Sequence, residues 1–435
     1  MILRDPVHGL VTFEGLAEPV VTALLDTREV QRLRRVRQLG LTSVVFPGAE
    51  HSRFAHALGA AHVMVRLLAR LSEVERDLPP EERLDAEASR DAIAAALLHD
   101  LGHGPFSHLF EEVMPGARHH ESWTVDIVRD DATDVHRALA KLDAGMPERV
   151  AGLLEGHYRL GYLARAVSGT LDVDRCDYLL RDSHMTGVRY GIYDLDWLLR
   201  ALAFGRAPNG ERVIAIEGRK GLPPIEGFFL ARHFMFQQVY HHKATRGAEA
   251  LIRGLFLRLG ELVRDGSAPE GTPLAMARAA RGEPMSLGDY LALDDSVLLH
   301  GFSQWSDSPD VTLRELAQAV VVRRLPKTLP LPEEAGAAIR WEEALARGRE
   351  VARRHGWRPE LSVFLDVPRD TPYEEPSDDS ADGLWVLLRH QPIRRLGDVS
   401  FLLGQLRNAQ TIRPRLVFPA ALRDEIVAAV GEVLA

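Results

Sequence analysis

Cysteine is almost missing from this sequence: Cys176 is the one thiol in 435 residues. No intrachain disulfide can form, so a reducing, cytoplasmic compartment is the expectation, and Cys176 itself reads as a small buried apolar side chain. Long hydrophobic runs are missing as well. No stretch of about 18 uncharged apolar residues occurs, which predicts no transmembrane helix, and the opening MILRDPVHG has no apolar segment of signal-peptide length. A basic excess is also absent, since 53 Lys and Arg against 62 Asp and Glu leave a net charge of -9. That balance argues against a general affinity for nucleic acid, while leaving room for a local basic pocket around a small phosphorylated ligand. What is present is 46% hydrophobic and 26% charged residues, ordinary for a soluble globular protein. The length is ample to bury a core without disulfides or structural metals.

Apolar residues three and four apart dominate the first 330 residues, as in Leu58–Leu71, Ser89–Leu98, Thr124–Val128, Asp174–Arg181 and Ala248–Val263. Asp91 sits where a negative charge favours a helix start, and Gly102, Gly104 and Pro105 stop the helix that ends near His99. A strand at Arg212–Glu217 follows a Pro-Asn-Gly turn and predicts a two-stranded insert. Beyond LPKTLPLPEE the texture changes: a helix over Ala337–His355, strands at Leu361–Asp366, Leu384–Arg389 and Arg415–Pro419, then a helix over Ala420–Leu434. The expectation is a mainly α protein, with a helical core at residues 1–330 and a small α+β lobe at 331–435.

The stretch LLHDLGHGPFSH packs three histidines and an aspartate around two glycines and a proline, directly after an alanine-rich helix. A lone His-Asp doublet is close to what chance supplies, so its meaning depends on the rest of the chain. HSRFAHALG places Arg53 and His56 on one helical face, and HHES adds His119 and His120. In LDVDRCDYLLRDSH, Asp174, Tyr178 and Asp182 recur every four residues and share a face. His56, His99, Asp100 and Asp174 form a two-imidazole, two-carboxylate set suited to a divalent ion. Such an ion neutralises phosphate oxygens and acidifies water, as phosphoester hydrolysis near neutral pH requires. His103, His108 and His120 stand by for phosphate or proton. YHHK adds Tyr240 and His242, and Arg232 shares roughly the face of Tyr240 if one helix continues through both.

Arg-x-x-His, His-Asp and a distant Asp resemble the signature of the HD superfamily of metal-dependent phosphohydrolases. DPVHG, QRLRRVRQLG, VFPGAEHSRFAHALG, HDLGHGPFSH, HHES, LDVDRCDYLLRDSHMTG and YHHK, in that order, resemble the deoxynucleoside triphosphate triphosphohydrolases. The likeness is greatest to the group that includes the mammalian sterile-alpha-motif-and-HD-domain enzyme, although no sterile-alpha-motif domain is present. The H-D-x-x-E-D of guanosine tetraphosphate hydrolases is absent. Gly161-Tyr162 is followed by Leu163, not by the proline of cyclic-dinucleotide phosphodiesterases.

The resemblance implies an HD-domain helical core with His56, His99, Asp100 and Asp174 as ligands of one divalent ion (Fe, Mn, Zn, Ni or Mg). It implies His120 as the catalytic histidine that protonates the leaving 5′ oxygen, with Glu111 orienting it and His103 beside it. Gln38 and Leu39 would contact the deoxyribose, with Tyr178 and Asp182 at its 3′-hydroxyl and Tyr240 closing the sugar side. Arg53, His103, His108, Arg175, Arg232 and His242 would surround the triphosphate. Arg175 replaces a lysine of the mammalian enzyme, and Phe236-Gln237-Gln238 replaces a more basic run.

DTREVQRLRRVRQLG carries five arginines, which on composition alone make a solvated helix face. The resemblance implies instead that Asp26, Gln31 and Arg34 hold a GTP or dNTP effector between subunits, joined by Arg323 and Lys327, in a homo-oligomer that is a dimer or tetramer. Two rival readings stand beside the dNTP substrate: a phosphohydrolase for another nucleotide or phosphoester, and a non-catalytic nucleotide sensor.

Overall fold

The helix Arg53–Val74 is buried along most of its length, and the helices Ala86–Leu98 and Val173–Thr186 pack against it. This computed structural model describes residues 1–434 apart from 107, 115–116, 335 and 377–379; the side chains of His108 and of residues 432–434 also lie outside the described residues. The close approach depends on small residues. Ala57, Ala60 and Ala61 face Ala92 and Ala94–Ala96 in one core, and a Cβ on Gly59 would collide with the carboxylate of Asp177. Caps fix where the flanking helices begin: Asp85 accepts from the amide of Ala88 and Asp172 from that of Arg175. The start of the Ala86–Leu98 helix corrects the expectation for Asp91. Asp85 is the cap, and Asp91 lies inside the helix, fully buried against Arg149 (2.7 Å) and the Tyr158 hydroxyl (2.8 Å).

The protein is mainly α, as its periodicity predicts. The Arg212–Glu217 strand pairs antiparallel with Leu202–Arg206, and Trp385–Leu387 and Arg394–Arg395 extend the same sheet. Arg415–Phe418 lies between Lys327–Pro330 and Phe364–Asp366 in a second sheet. The helices Ala338–Arg354 and Arg423–Leu434 pack against each other, and the first of them lies on that sheet. The expected strand at Leu361–Asp366 is shorter than its sequence suggests. Pro359 opens a helical turn over Pro359–Ser362, where its fixed φ suits the first helical position, and extended pairing begins only at Phe364. An N-terminal hairpin, Ile2–Asp5 with Gly9–Thr12, was not foreseen.

The helix Leu222–Met235 does continue, but through a π-helical turn at Phe236–Tyr240, which changes the phase of the residues beyond it. Cys176 is buried, and that burial pushes its thiol up to about 12. Among the described residues no helix is long and apolar enough to cross a membrane.

Candidate active site and metal centre

His56 enters the site with no exposed surface, and its Nδ1 lies 2.8 Å from Asp177 Oδ2. Asp177 also holds His8 Nε2 at 2.6 Å and Arg181 Nε at 2.8 Å, so its carboxylate is fixed from three sides. With Nδ1–H donating to Asp177, Nε2 of His56 presents its lone pair inward. His99 is set the same way: Nδ1 donates to the Ala96 carbonyl at 2.9 Å and Nε2 faces inward. The two Nε2 atoms are 3.2 Å apart, and Asp174 Oδ1 is 3.0 Å from one and 3.5 Å from the other. Asp100 completes the ring, 3.5 Å from His99 Nε2 and 3.7 Å from His56 Nε2.

Inward-facing imidazole nitrogens beside carboxylates favour a cation between them, and His56, His99 and Asp174 lie close enough together to hold a divalent ion, with Asp100 alongside. The electrostatics say the same. Burial opposes charge on His56, yet hydrogen bonds with Asp174 and then Asp177 hold its pKa up at about 10. Burial would raise Asp174, but His56 and His99 hold it below the usual carboxylate range.

Asp100 also faces Arg53 and His103. Its Oδ2 accepts from Arg53 Nη1 at 2.6 Å, and its Oδ1 is 3.2 Å from His103 Nε2. The His103 ring stacks on His120 with centroids 3.8 Å apart and 18° between planes. His120 Nδ1 in turn lies 3.2 Å from Glu111 Oε1. His103, Glu111 and His120 are close enough together for an ion, but an ion lies in the plane of each imidazole that binds it, and near-parallel stacked rings cannot share one. The trio is better built to carry a proton or a phosphate oxygen.

The turn that carries His99, Asp100 and His103 is irregular backbone inside the protein, so its polar groups need partners. Gly102 donates to Thr124 Oγ1 (2.9 Å), and its carbonyl accepts from the Tyr290 hydroxyl (2.6 Å). Arg32 donates to the carbonyls of Leu101 (3.3 Å) and His103 (2.9 Å). A Cβ on Gly102 would run into the carbonyl of His120, so glycine lets the two segments meet.

These groups open onto a cavity of about 620 Å³. Of the residues singled out by sequence, it brings together Gln38, Leu39, Arg53, His99, Asp100 and His103 with His120, Asp174, Arg175, Tyr178, Asp182 and Tyr240. The Tyr240 hydroxyl donates to Asp182 Oδ2 at 2.7 Å, and His51 Nε2 lies 2.8 Å from Oδ1 of the same carboxylate. Tyr178 stands edge-on to Tyr240, 6.3 Å between centroids. Arg175 is tied to Asp172 and the Gly169 carbonyl.

Other expected residues lie elsewhere. Arg232 donates to Asp370 Oδ1 and the Thr371 carbonyl, both at 3.0 Å, and lines a neighbouring cavity of about 340 Å³ that shares Ser168 and Arg175 with the first. His242 accepts from the Ala244 amide, and it is His241 that lines the main cavity. Asp26, Arg34, Arg323 and Lys327 are exposed, and Gln31 is partly so. The Arg34 guanidinium lies over the Phe54 ring and donates through Nε to Gln31 Oε1 (2.8 Å), and Arg323 donates to the Val44 carbonyl (2.8 Å). Among the described residues no hydrogen bond or ion pair joins Asp26, Gln31 or Arg34 to Arg323 or Lys327. His8, Arg32, His51 and Asp177 escaped the sequence reading. Asp177 carried a signal, three residues after Asp174 on the buried side of the same helix.

The profile of the HD domain matches residues 53–182, from the Arg53 of the site to its Asp182. The uncharacterized protein YwfO of Bacillus subtilis is 32% identical over 425 residues, 97% of this chain and 92% of that protein. The chain belongs to the HD-domain family of phosphohydrolases. Within the HD-domain relatives, the deoxynucleoside triphosphate triphosphohydrolase SAMHD1 of Danio rerio is 28% identical over 395 residues. That match takes in 81% of this chain but 59% of the fish protein, so the chain spans less than two thirds of its length. A phosphohydrolase from Bacteroides thetaiotaomicron superposes with a TM-score of 0.78 at 27% identity, over 96% of this HD-domain chain and 99% of its own.

Proposed function

We propose that the protein hydrolyses deoxynucleoside triphosphates to the deoxynucleoside and inorganic triphosphate. The observation that carries this reading is one cavity bounded by His99, Asp100 and Asp174, by His120, by Arg53 and Arg175, and by the Tyr240–Asp182 pair. His56, His99, Asp100 and Asp174 would hold a divalent ion, which when bound would supply charge against phosphate oxygens and acidify water. Arg53 and His103, gathered on Asp100, orient the phosphate chain. His120, held by Glu111, donates the proton that the departing 5′ oxygen needs. Tyr240 is pinned to Asp182 beside Tyr178, which leaves little room at the sugar and disfavours a 2′-hydroxyl. Net, water's hydroxyl ends on the triphosphate and its proton on the nucleoside. The similarity to SAMHD1, a deoxynucleoside triphosphate triphosphohydrolase, supports the same substrate class.

A nucleotide effector and a homo-oligomer belong to the proposal as well. Among the described residues no hydrogen bond or ion pair joins Asp26, Gln31 and Arg34 to Arg323 and Lys327, so a shared effector would draw on a second copy.

The test is a panel of dNTPs and NTPs with several divalent metals, products resolved by ion chromatography. Nucleoside and triphosphate are expected in equal amounts, with dNTPs favoured over NTPs. Diphosphates or monophosphates as first products would replace this reading with that of a phosphohydrolase of another specificity, and no turnover at all with that of a nucleotide sensor.

A further inference from the structure

One part of the cavity wall lies beyond the matched HD domain: His241, Thr245, Arg246 and Glu249, where the helix Lys243–Arg264 begins. Charge sorts the rest of the cavity. Arg53, His103, His120 and Arg175 suit phosphates, and Tyr178, Tyr240 and Asp182 suit a sugar. Besides the exposed Glu121 and apolar lining such as Leu41, Phe106, Leu154 and Phe236, what remains for the nucleobase is this polar wall, which a chain of hydrogen bonds holds in place. Arg246 donates through Nε (3.0 Å) and Nη2 (2.6 Å) to Asp366 Oδ1, on the strand Phe364–Asp366. Its Nη1 donates to Glu249 Oε2 at 2.6 Å, one helical turn on. Arg415 pairs with the other oxygen of Asp366 (3.2 Å) and donates to the His241 carbonyl (3.0 Å).

Glu249 Oε1 has no hydrogen-bond partner among the described residues. Neither has the hydroxyl of Thr245, which is 1% exposed and one turn away on the same face. The Arg246 and Glu249 side chains are 30% and 31% exposed, and they stand between the main cavity and a smaller one of about 350 Å³. A fixed carboxylate oxygen accepts hydrogen bonds and repels other acceptors.

We propose that Glu249 and Arg246 determine nucleobase specificity, with Asp366 as their positioning residue, and that the wall favours bases bearing an exocyclic amino group. This rests on the dNTP reading above. Adenine, cytosine and guanine can donate an amino N–H to Glu249 Oε1. Thymine has no amino group: its one ring N–H, at N3, lies between two carbonyl oxygens, and an approach that offers the edge carrying an amino group in adenine or cytosine sets a carbonyl against the carboxylate.

The experiment compares kcat/KM for dATP, dCTP, dGTP and dTTP in the metal-loaded wild type and in Glu249→Gln. The wild type is expected to favour the amino-bearing bases over dTTP by about tenfold. Glu249→Gln, whose amide can turn an N–H toward a carbonyl, brings that ratio to about one. Metal content and inhibition by inorganic tripolyphosphate stay at wild-type levels. Asp366→Asn loosens the clamp and lowers the ratio in part, through KM more than kcat. If Glu249→Gln is unstable, Glu249→Asp keeps the charge, withdraws the oxygen by one methylene, and is expected to lower the ratio as well. A wild type without preference against dTTP, or a ratio that these variants leave unmoved, overturns the inference while the proposed function stands. A wild type that hydrolyses no dNTP overturns both.

Discussion

Asp100→Asn is expected to lose its divalent metal on dialysis and to fall to background activity, with the helical circular-dichroism spectrum unchanged. Asp100 lies against His56 and His99 on one side and Arg53 and His103 on the other, so in the proposed function its charge would serve the ion and the phosphates together. Losing one preorganised electrostatic group at a reacting phosphate costs about 10²–10³ in rate, and loss of the ion adds to that. Asparagine is the informative choice. It keeps an oxygen for Arg53, whose buried ion pair with Asp100 measures 2.6 Å. Alanine would leave that guanidinium without its carboxylate, at a cost of about 3–5 kcal/mol, and a lower Tm would then confuse the reading. A one-to-one metal content in the asparagine variant, measured by plasma mass spectrometry, would remove Asp100 from the ligand set.

His120→Ala is expected to behave differently: metal retained, substrate bound, turnover lowered by about two to four powers of ten. His120 is no part of the His56, His99 and Asp174 cluster, so the ion does not depend on it. Glu111→Gln should show a smaller loss in kcat, because Glu111 reaches the reaction only through the His120 ring. Steady-state kcat and KM separate the cases. A large rise in KM at unchanged kcat would make His120 a binding group and move the proton transfer elsewhere.

Much of this site was legible in the sequence because its ligands sit on strongly periodic helices. His56, His99 and Asp174 fall on or beside helices whose apolar spacing fixes their facing, and Gly102 to Pro105 mark the turn between them. What was not legible comes from partners distant in sequence. His8 reaches Asp177 across 169 residues from a hairpin too short to show as alternation. Arg32 lay hidden in a basic run that reads as a solvated face. Its guanidinium is buried, because the carbonyls of the His99–His103 turn need a donor there. Arg232 and Tyr240 share a face only in an uninterrupted α-helix, and the π-helical turn between them separates their directions. Asp366 and Glu249 lie far apart in the chain, and only the packing of the Phe364–Asp366 strand on the Lys243–Arg264 helix joins them through Arg246.

The most direct test of the central claim is the destination of the solvent oxygen. Hydrolysis of a dNTP in ¹⁸O-water is expected to place the label in inorganic triphosphate, on the phosphorus that was α, and none in the nucleoside. Water then bonds to the α-phosphorus and the bond from that phosphorus to the 5′ oxygen breaks, as a leaving group protonated by His120 requires. Label in a free monophosphate or pyrophosphate, or at the 5′ carbon of the nucleoside, would contradict it.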